Sequence, residues 1–280
     1  MIKAIDCWCN LFTADVIERF IQQEEFKPTI KWLNMEERWK GLTVDEMVAI
    51  LDEAEVEKAF IPSFQLYSFQ QKEMIWDITV EEVAQVVNER PDRFAGLYGI
   101  NPYKRMDGVR ELEKAVKDYG FKGAHLHAYG FGIPVNHRDL YPFYAKCVEL
   151  DIPVLMQIGH SAESMPSEMG RPLLIDDFAL YFPELKVVAL HTGWPWVEEL
   201  IAMAWKHLNV YIGTTGHRPK YWDPSLVRFL NSRGKGKVIW GTDYPLILHK
   251  QSRDDIEEMN LRDDAKAQLL REVAIKIFKL

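Results

Sequence analysis

The chain has 280 residues, a length that fits one barrel-sized α/β domain or two small domains. Its composition, 48% hydrophobic and 27% charged, is typical of a globular protein with a large buried core. The 42 acidic and 34 basic residues give a net charge of −8, which argues against nucleic acid or an anionic membrane as the main partner.

The cysteines and the N-terminus bear on the cellular compartment. Cys7, Cys9 and Cys147 follow no disulfide framework, so we expect reduced thiols, with Cys7 and Cys9 packed as small apolar residues. Met1 to Ala4 lead directly into a predicted strand, which leaves no room for a signal peptide, and the apolar runs are too short to span a bilayer. We therefore predict a cytoplasmic protein with no membrane partner.

Short apolar runs typical of strands alternate with segments of helical spacing along the chain. Alternation in the first run places Asp6, Trp8 and Asn10 on one face of a strand. Thr43 and Glu46 stand at the positions of a capping box, which predicts the start of a helix. The predicted strands are residues 2–9, 56–64, 94–100, 123–127, 153–157, 187–191, 210–214 and 238–243, and the predicted helices are residues 13–25, 43–54, 80–88, 108–119, 140–150, 173–181, 197–207, 225–231 and 262–280.

This order of elements predicts the fold class. Eight strands, each followed by a helix, indicate βαβ units and a parallel sheet, and eight units in this length favour closure into a (β/α)8 TIM barrel. Without a linker or a shift in composition, we expect one domain over residues 1–280. An aromatic insertion at residues 26–42 and a long loop at residues 159–172 are expected over the mouth of the barrel.

Polar residues stand at the carboxyl ends of the predicted strands, which meet at one end of a barrel. Asp243 is the strongest candidate for chemistry, because a carboxylate at the end of an apolar strand is costly unless it is paired, bound to metal or catalytic. His125 and His127 point to the same face and can hold zinc only where a third ligand and a carboxylate converge; otherwise they are polar lining. The other candidates are Asn10, Gln157, His160 and His191.

Three segments carry a resemblance to a known family. They are residues 182–188 leading into His191-Thr192-Gly193, residues 240–245 around Asp243, and the C-terminal residues 277–280. The chain resembles the amidohydrolase superfamily, in the branch related to aminocarboxymuconate semialdehyde decarboxylase. The resemblance implies a (β/α)8 barrel with one divalent metal, often zinc, that decarboxylates, hydrates or hydrolyses small carboxylated substrates. It matches His191 to the catalytic histidine of the family's sixth strand and Asp243 to the aspartate of its eighth strand.

The resemblance fails at the metal ligands. The family's first strand reads Ile-Asp-x-His-x-His, whereas this chain has Trp8 and Asn10 at the histidine positions, and Gln157 stands at the fifth-strand ligand. Indole and neutral amides are poor zinc ligands, so we expect no cofactor, with the Trp8 ring filling part of the metal volume. The alternative is a divalent metal such as zinc held by Asp243, His191 and a histidine of the fourth or fifth strand.

These observations predict an enzyme that hydrolyses a lactone, an ester or a carbon–carbon bond in a small carboxylated, cyclic or aromatic-derived metabolite. His191 and Asp243 are the expected catalytic pair. The alternatives are a metal-dependent decarboxylase or hydratase with non-standard ligands, and a catalytically inactive ligand-binding barrel. A second copy of the chain, in a homodimer, is the one macromolecular partner expected. The residues expected to bind substrate are Trp8, Asn10, His125, His127, Gln157 and His160.

Overall fold

The computed structural model describes residues 2–32 and 34–280, apart from the side chains of Trp32, Glu37 and Arg38. The sequence-based statement about Met1, and the part of the predicted aromatic insertion at the Trp32 side chain and Leu33, therefore lie outside the described residues.

Eight parallel strands form one sheet, in the order of the chain, and two further strands form an antiparallel hairpin between the second and third of them. The sheet order is β1-β2-β5-β6-β7-β8-β9-β10, and the hairpin pairs β3 with β4. The strands are β1 (Ala4–Asp6), β2 (Val56–Pro62), β3 (Phe64–Tyr67), β4 (Met74–Ile78), β5 (Phe94–Gly99), β6 (Gly123–Leu126), β7 (Val154–Gln157), β8 (Val187–Leu190), β9 (Val210–Gly213) and β10 (Val238–Ile239).

Backbone hydrogen bonds join the two ends of this sheet into a barrel. Cys7 N donates to Trp240 O at 3.1 Å, and Asp243 N donates to Trp8 O at 2.9 Å. A further bond joins Asn10 N to Tyr244 O at 3.0 Å. The carboxyl ends of all eight strands therefore surround one mouth, as the TIM-barrel prediction requires.

Helices cover the outside of the barrel. Each of the strands β5 to β9 is buried along its whole length. Thr43 and Glu46 form the predicted capping box at the start of α4. The helices are α1 (Ala14–Ile21), α2 (Lys27–Trp32), α3 (Met35–Arg38), α4 (Val44–Glu53), α5 (Val80–Glu89), α6 (Arg105–Tyr119), α7 (Tyr141–Glu149), α8 (Ile175–Tyr181), α9 (Val197–Lys206), α10 (Pro224–Leu230), α11 (His249–Glu258), α12 (Asp263–Ala267) and α13 (Val273–Phe278), with a π-helical turn at Gln268–Glu272 between the last two.

The sequence prediction was wrong about the end of the second strand. The apolar run continues to Phe64, but β2 ends at Pro62, and the Ser63 hydroxyl accepts a hydrogen bond from Gly99 N at 2.8 Å. Phe64 instead starts the hairpin β3–β4, which the sequence did not predict. Likewise β6 ends at Leu126, so His127 lies just beyond its strand.

Helix α11 was also missed, because its buried side is mainly polar. His249, Ser252 and Asp255 are buried on this helix. The Trp240 indole donates to Ser252 Oγ at 3.0 Å, and Arg218 Nε donates to Asp255 at 2.9 Å. A helix held by polar partners shows no apolar periodicity, which is the signal used to predict helices from sequence.

Two segments extend over the mouth of the barrel. The insertion and the long loop meet where Thr29 Oγ1 donates to Ala162 O at 3.1 Å. The loop is also bonded to the barrel, since the Tyr129 hydroxyl donates to Gly159 O at 3.0 Å. In the described part of the chain, the helices are too short and too polar to cross a membrane.

Candidate functional site

A cavity of about 170 Å³ opens at the mouth of the barrel between the strand ends, the insertion and the long loop. Its wall is largely aromatic and aliphatic, and polar groups gather at the strand ends and on the loop. The apolar lining is Trp8, Leu11, Ile17, Phe20, Phe26, Met35, Trp39, Phe64, Leu66, Trp76, Ala162, Pro245 and Leu246, and the other lining residues are Asn10, Thr29, Gln157, His160, Glu163, His191, Gly216, His217 and Asp243.

His191 and Asp243, the two expected catalytic residues, both line this cavity and both have unusual backbone conformations. His191 has φ of 59° and Asp243 has φ of 61°, in the left-handed region that residues with a side chain rarely adopt. Such conformations cost roughly 1–3 kcal/mol each and are concentrated at functional sites. The backbone therefore supports a functional role at these two strand ends.

The His191 ring is held in its neutral form. Burial lowers the pKa of the ring most, and the neighbouring His217 ring lowers it further. Glu163 and the hydrogen bond with Thr215 raise it, and the pKa is brought to about 3. His191 Nδ1 lies 3.0 Å from Thr215 Oγ1, which also accepts a hydrogen bond from the His191 backbone N–H. The imidazole is therefore fixed in orientation and uncharged near neutral pH.

Asp243 has the opposite tendency. Burial raises the pKa of its carboxyl well above the usual range, and the hydrogen bond from Asn10 only partly opposes this effect. Asn10 Nδ2 donates to Asp243 Oδ1 at 2.7 Å and to Tyr244 O at 3.0 Å. Burial therefore favours the protonated form of this carboxyl, which is the form that can act as a general acid.

Trp8 lines the cavity, and one of the predicted substrate-binding histidines, His125, lies against its ring. The Trp8 ring is stacked on His125 at 5.1 Å and lies 5.2 Å from the His191 ring. His125 also stacks on Phe64 at 5.1 Å, and burial lowers its pKa. His125 and His127 do not line the cavity, whereas the other predicted residues do: Trp8, Asn10, Gln157, His160, His191 and Asp243.

Glu163 is a cavity residue that sequence reasoning missed, because it lies in a loop without a motif. The Ser161 hydroxyl donates to Glu163 Oε2 at 2.5 Å, and His127 Nε2 lies 3.7 Å from Oε1. Burial raises the pKa of Glu163, but the contacts with His127 and Ser161 outweigh it and bring the pKa to about 2. The only sequence signal was the position of the loop, expected over the mouth.

Trp8 and Asn10 are poor ligands for a divalent metal. The Trp8 indole offers only an N–H donor, and Asp243 Oδ1 already accepts the Asn10 amide. Among residues 2–32 and 34–280, the one trio of His, Cys, Asp or Glu with ligand atoms within 4.8 Å of one another is Asp6, Cys9 and His249. Asp6 already accepts bonds from Trp8 N, from Thr242 N and Oγ1, and contacts His249 Nε2 at 2.8 Å. We interpret this trio as part of a structural hydrogen-bond network.

Known proteins resemble this chain over different lengths. A 2-keto-4-carboxy-3-hexenedioate hydratase of Sphingobium is 29% identical over 40% of this chain and 38% of its own length. A 2-amino-3-carboxymuconate-6-semialdehyde decarboxylase of Dictyostelium discoideum is 27% identical over 60% of this chain and 55% of its own length. The chain thus spans about half, or less, of these two relatives.

The fold is shared with a solved enzyme, a 5-carboxyvanillate decarboxylase of Novosphingobium aromaticivorans complexed with manganese and 4-hydroxy-3-methoxy-5-nitrobenzoic acid. The TM-score is 0.76 at 18% identity, over 99% of this chain and 96% of that one. The family described as Amidohydrolase (Amidohydro_2) matches residues 5–280. The chain therefore belongs to this amidohydrolase family, as its strand-end residues led us to expect.

Proposed function

We propose that the protein is a lyase, a decarboxylase or hydratase of a small carboxylated, ring-derived substrate, with His191 and Asp243 as its proton-transferring residues. Members of this family are enzymes, and the relatives described above are named as decarboxylases and a hydratase. Their names support lyase chemistry better than the hydrolysis that the sequence favoured. Hydrolysis stays a prediction without such support.

One observation carries the proposal: His191 and Asp243 line the same aromatic cavity, each on strained backbone at a strand end, where burial lowers the pKa of the imidazole and raises that of the carboxyl. Groups whose pKa values are displaced in this way are concentrated at catalytic sites. A positioned acid or base supplies roughly 10²–10⁴-fold in rate. An inactive binding barrel has no need for either displacement.

The chemistry balances with these two groups. In decarboxylation, Asp243 donates its proton to the ring carbon that bears the carboxylate; the carbon–carbon bond then breaks, its electrons return to the ring, and CO2 leaves. In hydration, His191 takes a proton from the water that adds to one carbon of a double bond, while Asp243 protonates the other carbon. Asn10 holds Asp243 in position for either reaction.

We also propose that this chemistry proceeds without the metal typical of the family. The residues at the mouth do not offer a ligand set, because an indole and an amide stand where imidazoles are expected and the amide occupies an Asp243 oxygen. The proton transfers above need only side chains of this chain.

Substitution of the acid and the base tests the catalytic proposal. Asp243→Asn removes the transferable proton with little change of shape, and His191→Gln removes the base. We expect each to lower kcat/KM at least about 100-fold, measured as CO2 release or loss of substrate absorbance over a panel of aromatic and dienoic acids. Asp177→Asn, an exposed carboxyl bonded to Asn136, is the matched control and should leave kcat/KM unchanged. Full activity of Asp243→Asn would exclude this carboxyl as the acid.

Metal analysis tests the proposal that the chemistry proceeds without a bound metal. We expect protein purified without added metal to contain less than about 0.1 divalent ion per chain, because the strand ends lack a ligand set. Dialysis against a chelator should leave turnover unchanged. Zinc, manganese or iron near one per chain, lost together with activity on chelation, contradicts the metal-free proposal but not the assignment of His191 and Asp243.

A further inference from the structure

Glu163 places a negative charge on the wall of the candidate cavity. Its carboxylate is ionised near neutral pH, since the contacts with Ser161 and His127 hold its pKa low. It raises the pKa of both His191 and Asp243, which places it within electrostatic reach of the two groups assigned to proton transfer. Any anion that enters the cavity therefore meets this charge.

His127, the ion-pair partner of Glu163 at 3.7 Å, does not line the cavity. Of the titratable groups that line it, burial raises the pKa of Asp243 and lowers the pKa of His191 and of His217, which favours their neutral forms. Within the described part of the chain, the lining residues include neither lysine nor arginine. The two curated relatives described above are named for substrates that carry more than one carboxylate.

Neutral donors remain for a single carboxylate. Trp8 Nε1 is buried and has no hydrogen-bond partner among the described residues, although its ring lines the cavity. The Asp243 carboxyl, whose protonated form burial favours, offers a second donor in the same cavity. A cavity of roughly 150 Å³ holds one benzene ring, so the 170 Å³ measured here fits a single ring with its substituents toward the mouth.

We propose that the cavity accepts a one-ring monocarboxylate and that Glu163 is the specificity residue that excludes a second carboxylate. This inference rests on the proposed function, because it names the substrate class of the same site. The reacting carboxylate meets the Trp8 N–H and the Asp243 O–H, and a second one meets the Glu163 charge.

A pair of ligands of equal shape isolates the charge. Isophthalate carries two carboxylates, and 3-carbamoylbenzoate replaces one of them with an amide. Binding is measured by the quenching of tryptophan fluorescence, since Trp8, Trp39 and Trp76 line the cavity. We expect wild-type protein to bind 3-carbamoylbenzoate at least 10-fold more tightly than isophthalate.

Two variants assign this preference to one residue. Glu163→Gln should reduce the ratio of the two Kd values to below about 3, because the repulsion is removed. Glu168→Gln is the matched control, a carboxylate of the same loop that pairs with Arg171 outside the cavity, and it should leave the ratio unchanged. In 1 M salt the wild-type ratio should fall, since screening weakens charge repulsion.

The outcomes separate this inference from the proposed function. Equal affinities of the wild type for the two ligands, or an unchanged ratio in Glu163→Gln, overturn the specificity role. Failure of 3-carbamoylbenzoate to bind overturns the assignment of a one-ring acid. The salt series on wild-type protein still decides the point if Glu163→Gln does not fold. None of these measurements needs turnover, so a missing lyase activity leaves them informative.

Discussion

Two side chains at the end of β1 set this protein apart from the family pattern. Asn10 donates to the Asp243 carboxyl, and Trp8 covers the space between the His125 and His191 rings. The indole excludes water and so favours neutral groups, whereas the amide hydrogen bond favours the ionised form of Asp243 and offsets only part of the effect of burial. A site with these residues is suited to proton transfer between uncharged side chains.

His125 is the residue whose protonation should most directly affect stability. Its ring is buried between aromatic partners, and burial lowers its pKa well below 6.5 in the folded chain. Below pH 6.5 the unfolded chain therefore binds a proton that the folded chain does not, and folding stability falls as pH decreases. Above pH 6.5 the His125 ring is neutral in both the folded and the unfolded chain, so its burial causes no pH-dependent loss of stability there.

His125→Phe should remove this acid sensitivity. At pH 7.5 we expect a free energy of unfolding within about 1.5 kcal/mol of wild type, because one aromatic ring replaces another. Between pH 6.5 and 5 the variant should gain on wild type by up to about 1.4 kcal/mol per pH unit. Urea unfolding at several pH values measures the difference, and parallel curves for the two proteins would contradict a depressed pKa at this position.

Local sequence specifies some helix starts more strongly than others. At α4 the Thr43 hydroxyl accepts from Glu46 N at 3.3 Å, and the Glu46 carboxylate accepts from Thr43 N at 2.8 Å. Thr13 stands at the equivalent N-cap of α1, but its side chain makes no capping bond. The same residue type thus has two different local roles.

This contrast gives a test at the level of one element. Thr43→Ala should destabilise the protein by about 1 kcal/mol, since one backbone donor of the first helical turn loses its acceptor. Thr13→Ala, the matched control, should change the free energy of unfolding by less than about 0.5 kcal/mol. Urea unfolding at neutral pH compares them, and equal losses in the two variants would show that the capping bond adds nothing.

For the whole molecule, the closure of the barrel and the construction of the site depend on the same contacts. Asp6 accepts hydrogen bonds from Trp8 N at 3.0 Å and from Thr242 N at 3.1 Å, and so links the first and last strands. Trp8 itself lines the cavity two residues before Asn10, and Thr242 directly precedes the cavity residue Asp243. The seam between β1 and β10 therefore positions the Asn10–Asp243 pair.

A cytoplasmic location and a homodimer stay predictions from the sequence.

The sequence by itself determined the alternation of eight strands with helices, because a strand buried on both faces must be apolar and a covering helix must have an apolar stripe. It also offered Asp243 as a candidate, since a carboxylate at the end of an apolar strand is costly unless it is paired or functional, and His191 through the resemblance to the family. Two of the missed elements do not follow these rules: α11 packs through polar side chains, and Phe64 continues an apolar run into a hairpin. The short helices α2 and α3 lie in the aromatic insertion, for which no helix was predicted.

Only the tertiary structure decided the electrostatics of the site. Asn10 and Asp243 are 233 residues apart in the chain and 2.7 Å apart in space, a distance that no local pattern contains. Glu163 reaches the cavity from a loop whose path depends on contacts with the barrel and with the insertion. A pKa depends on burial and on neighbouring charges, so the neutral state of His191 and Asp243 and the charge of Glu163 arise only once the barrel has closed.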